Sequence, residues 1–61
     1  MNKVIRILMK RDDMTREEAT ALVEEVKEMM LEAAHNGDDP EEILMEELGL
    51  EPDYMMDILL F

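Results

Sequence analysis

The stretch Thr15–Gly37, TREEATALVEEVKEMMLEAAHNG, decides the fold. Thr15-Arg16-Glu17-Glu18 fits a capping box, in which the Thr15 hydroxyl accepts from the backbone N–H of residue 18 and Glu18 reaches back to the N–H of Thr15. A helix therefore starts there. Asn36-Gly37 signals its other end, because glycine takes the left-handed conformation that closes a helix and His35 suits the negative end of the helix dipole. The interval of about 20 residues spans ~30 Å as a helix. Within it Ala19, Leu22, Val26, Met29, Met30 and Ala33 recur at three- and four-residue spacing, flanked by Val23 and Ala34. That stripe is wide enough to bury. The opposite side carries Glu17, Glu24, Glu25, Glu28 and Glu32, with Lys27 the only cation from residue 17 onward.

The same punctuation repeats downstream. Asp39 reads as an N-cap, Pro40 occupies the first helical position where its missing N–H costs nothing, Glu41 and Glu42 fill the first turn, and Gly49 ends the helix. Pro52 opens a last helix behind a poorer cap at Glu51 or Leu50. Val4-Ile5-Arg6-Ile7-Leu8 alternates in part like a strand, yet no other segment can pair with it, so a short helix is expected. The predicted fold is all-α: three to four short helices, about 3–11, 15–36, 40–48 and 52–60, in one acidic domain spanning 1–61.

Size sets a further expectation. At 7.2 kDa the chain exposes roughly 10,000 Å² unfolded and about 4,000 Å² folded. If about 60% of the buried difference is apolar, burial contributes about 90 kcal/mol, and ordering 61 residues costs about the same. Chains so balanced gain margin from a disulfide, a metal or a second subunit, and with no cysteine the first is excluded. Dimerisation is expected to complete the bundle. Tyr54, Met55, Met56, Ile58, Leu59, Leu60 and Phe61 leave only Asp53 and Asp57 for water, so the last helix either packs across the first two or joins a second subunit. The expected oligomer seam is Leu22, Val26, Met30, Met55, Leu59 and Phe61. Eight methionines supply flexible thioethers that suit a surface able to repack.

Charge is segregated along the chain. Residues 1–16 hold Lys3, Arg6, Lys10, Arg11 and Arg16 against Asp12 and Asp13, a net +3, while residues 17–61 hold fifteen acids and Lys27, a net −14. The basic start is expected to neutralise acids of the same fold or of a second subunit. The acidic remainder disfavours nucleic acid and anionic lipid as direct ligands and favours a protein partner with a basic surface. Its carboxylates on rigid helices can also be read as an array like that of DNA, which carries one charge per ~1.7 Å. Glu17, Glu24, Glu28 and Glu32 are the expected partner-binding face. No apolar run approaches the ~18 residues of a membrane span and no signal peptide is evident, so a cytoplasmic protein is expected.

No catalytic set emerges: the chain has no Cys, no Ser, two Thr and one His, so it reads as a non-enzyme without cofactor. Glu32-Ala33-Ala34-His35 has the spacing of one half of a carboxylate-bridged di-iron site, which would need a dimer and a further acid such as Glu28. His35 as a dipole-compatible helix end is the simpler account, and no metal is expected.

Met14-Thr15-Arg16-Glu17-Glu18-Ala19, Gly37-Asp38-Asp39-Pro40-Glu41-Glu42-Ile43-Leu44 and Glu46-Glu47-Leu48-Gly49-Leu50-Glu51-Pro52-Asp53-Tyr54 resemble short acidic uncharacterised proteins encoded by bacterial viruses and prophages. The resemblance implies context, since small acidic viral proteins often bind and inhibit a host defence or nucleic-acid-binding protein. The expected function is that of a homodimeric inhibitor or modulator in the host cytoplasm. The alternatives are a structural protein of a larger homo-oligomer and a metal-binding dimer using Glu32 and His35.

Overall fold

In the computed structural model, which describes residues 2–61, four helices follow one another in chain order. They are α1 (Lys3–Arg11), α2 (Arg16–His35), α3 (Pro40–Leu48) and α4 (Met55–Leu59), the last preceded by a 3-10 turn over Pro52–Tyr54. No strand occurs among the described residues. The fold is a small all-α bundle.

The expected caps form. Glu18 N–H donates to Thr15 Oγ1 at 3.1 Å, and Thr15 N–H donates to Glu18 Oε1 at 2.9 Å. At the far end of α2, Gly37 lies at φ 81°, its N–H reaching Ala34 O and the next N–H, of Asp38, reaching Ala33 O at 2.8 Å. That pair of bonds is a Schellman closure. Asp39 Oδ1 accepts from Glu41 N–H at 2.9 Å, and Gly49 closes α3 at φ 65°.

At the chain's ends one cap is additional to those expected and one segment differs from expectation. Asn2 caps α1, its Oδ1 accepting from the N–H of Val4 and Ile5 while its Nδ2 donates to Asp57 O at 2.7 Å. The cap thus also ties α1 to α4. The continuous helix expected over 52–60 is instead a 3-10 turn and a five-residue α-helix. Pro starts both α3 and this segment, but Asp39 caps α3 whereas Glu51 makes no side-chain cap, and here the first turn tightens to 3-10 geometry.

The long helix α2 is the spine, and α1, α3 and α4 pack on it, with α1 also touching α4. The molecule measures 33 × 18 × 16 Å, its long axis set by the ~30 Å of α2. Buried residues of α2 are Ala19, Val23, Val26, Met30 and Ala33; Leu22 and Met29 are half-buried and Ala34 is exposed. Val4, Ile5 and Leu8 of α1, Leu44 and Leu48 of α3, Leu50 and Ile58 complete the core. The tail therefore folds back on its own chain. Exposed area is 4215 Å², close to the ~4,100 Å² that mass scaling gives for a compact monomer.

Candidate partner-binding surface

At about 100° per residue, Glu17, Glu24, Glu28 and Glu32 fall within an arc of about 80° on α2, opposite the stripe Ala19-Val23-Val26-Met30-Ala33. The geometry follows from the helix period and from which stripe is buried. All four carboxylates are exposed, as is Glu25 beside them. Among the described residues the one ion pair is Arg11 with Asp12 at 2.9 Å, so none of these glutamates has a cation within bonding distance. The four are spread over ~22 Å of axis, or about one charge per 5 to 6 Å. Duplex DNA is about threefold denser. These four carboxylates by themselves are therefore sparser than a phosphate array.

A shallow groove of about 540 Å³ opens on the border of this face, lined by Ala21, Glu24, Glu25, Lys27, Glu28 and Phe61. The chain's end forms one wall. Lys27 Nζ donates to the Phe61 main-chain oxygen at 3.0 Å in an exposed bond, which holds residue 61 against α2. A second depression of about 470 Å³ lies between α3 and the segment after it, lined among others by Glu41, Met45, Leu50 and Pro52.

The expected oligomer seam does not survive as one surface. Val26 and Met30 are fully enclosed within the single chain, because α1, α3 and α4 cover their side of α2. Leu22, Met55 and Leu59 are half-buried against that same core, and Phe61 alone of the six is exposed. The large apolar side chains that do face out are Leu31, Met45, Met56, Leu60 and Phe61. Leu60 is the extreme, 77% exposed. Met56 and Leu60 project opposite Ile58 once Ile58 is inside, a consequence of their two-residue offset that the sequence contained.

Within its own fold the basic start neutralises little. Lys3, Arg6 and Lys10 are exposed and reach no carboxylate of the fold. Only Arg11 is used, pairing with Asp12 and donating from Nη2 to Leu48 O at 2.7 Å, so that it caps α3 from α1. Its hydrogen bonds hold the Asp12 carboxyl below the ordinary range, and Asp12 in turn raises Arg11.

Among the described residues no group of three or more His, Asp or Glu is placed to hold a metal ion, and Glu32 and His35 both face out from α2. No described helix is long and apolar enough to cross a membrane. The chain matches no protein-family model, no curated protein and no solved structure.

Proposed function

We propose that this protein is a non-enzymatic binding module whose α2 carboxylates, Glu17, Glu24, Glu28 and Glu32, meet the basic surface of another protein. The supporting observation is that the acidic face has no structural duty: the core lies on the other side of α2, and among the described residues no cation pairs with it. In keeping with the viral resemblance, the partner is read as a host defence or nucleic-acid-binding protein and the action as inhibition or modulation in the host cytoplasm. A homodimer remains part of this reading, joined through Met56 and Leu60 with the half-buried Leu22, Met55 and Leu59, because Val26 and Met30 are enclosed.

Affinity capture from host lysate, repeated with Glu24, Glu28 and Glu32 changed to Gln, tests the electrostatic part. Capture is expected to fall steeply with salt and with the triple substitution. Capture indifferent to both would sink the proposal. The second reading, a subunit of a larger homo-oligomer, draws on exposed Met45 on α3 in addition to Met56 and Leu60 on the tail. A sedimentation mass well above that of a dimer selects it.

A further inference from the structure

The groove beside Phe61 combines two features: an aromatic side chain left 39% exposed and three carboxylates, Glu24, Glu25 and Glu28, that form no ion pair among the described residues. A purely polar face would need no aromatic wall, and a purely apolar one would repel charge. Lys27 lines the same groove, and its ammonium donates to the Phe61 main-chain oxygen, leaving the three carboxylates as the groove's excess charge.

From this geometry we infer that the groove docks a helical segment of another protein that carries arginine beside apolar residues. The inference rests on the reading of α2 as the face that meets a basic partner, and adds where that partner seats and what it must present. Guanidinium suits the place on three counts. It is planar and stacks on an aromatic face, it meets carboxylates two bonds at a time, and it sheds water more readily than ammonium. Apolar neighbours on the same segment would cover Phe61. The alternative tenant is a second copy's α1, which carries the basic row Lys3, Arg6 and Lys10. That helix has Val4, Ile5 and Leu8 enclosed in its own core and Ile7 and Met9 half-buried against it, so it brings cations with little free apolar surface. A foreign segment supplying both is the better complement.

The test uses the intact protein and three short helical peptides: arginine on one face and leucine on the other, the same with leucine replaced by serine, and the same with arginine replaced by glutamate. Fluorescence anisotropy is expected to show binding of the arginine–leucine peptide alone, weakened about tenfold by Phe61→Ala and again by Glu24→Gln with Glu28→Gln. Glu46→Gln with Glu47→Gln, on α3, should leave it unchanged. Amide shifts should concentrate at residues 21–28 and 58–61. Circular dichroism checks that each variant is folded. Equal binding of both arginine peptides, or shifts centred on residues 39–52, overturns the groove while leaving a diffuse basic-partner reading intact. Failure of every cationic peptide overturns both. A homodimer that Phe61→Ala converts to monomer identifies a second copy as the occupant and also overturns the inference.

Discussion

Asp13 is the one described residue other than glycine with positive φ, 55°, in the link from α1 to α2. Left-handed backbone costs an L-residue roughly 1 kcal/mol, less for Asp than for a branched side chain. Asp13→Gly removes that strain and one negative charge, so it should raise the melting temperature by a few degrees, about 0.5 kcal/mol net of the glycine's added freedom when unfolded. Asp13→Val should lower it. The Arg11–Asp12 contact makes a prediction with a sign. Because Asp12 has a lowered folded pKa, its contribution is fully present above the ordinary carboxylate range and is lost as pH falls through the lowered value. An NMR titration of the Asp12 carboxyl should have its midpoint below that of a free aspartate and return upward in Arg11→Met. Asn2 and Arg11 were the residues least legible in sequence. Each acts on a backbone oxygen far along the chain, Asp57 O and Leu48 O, and no local pattern announces such a partner.

At the scale of elements, the capping box of α2 was readable because its partners lie three residues apart. Thr15→Ala should cost about 1 kcal/mol in chemical denaturation, and Thr15→Ser should restore most of it. The helix stops at Gly37 and Gly49 were readable for the same reason. Nothing lies near a side chain built at Gly37, so Gly37→Ala should be destabilising through its positive φ alone, again by about 1 kcal/mol. The phase of the apolar stripe was less legible. Leu22 and Val23 both fit a helical period, and only the positions of α1, α3 and α4 select Val23 as the enclosed member. The same packing turned Val26 and Met30 from expected contacts between subunits into core. Val26→Ala and Met30→Ala should therefore each cost about 2 kcal/mol or more in a way independent of protein concentration, whereas Leu60→Ser should leave folding unchanged. The division of the last segment into a 3-10 turn and α4 followed from the weak cap at Glu51, which the sequence displayed but whose outcome depended on how α4 lies on α2.

For the whole molecule, 17 acidic residues against 6 basic ones with a single described ion pair mean that folding draws like charges together. Compactness then works against self-repulsion, and salt relieves it. The melting temperature should rise by several degrees between low and physiological salt, a direction opposite to that of a protein held by surface ion pairs. Partner binding through the α2 face should show the reverse dependence. One titration of salt, followed both by stability and by affinity, thus separates the two consequences of the same charge. The all-α class and helix order were legible because caps, glycines and prolines act locally. The candidate groove was not, since Phe61 reaches Glu24 and Glu28 only after the tail has folded back over α2.

The uneven exposure of the methionines also gives the molecule a built-in chemical footprint. Met45 and Met56 are open to an oxidant, 60% and 57% exposed, while Met30 is sealed in the core. Mild peroxide should convert the first two to sulfoxides with the helices intact, and reach Met30 only in chains that have opened. Mass spectrometry of the three sites would then report, in one sample, the fraction of opened chains and whether a partner or second copy shields Met56.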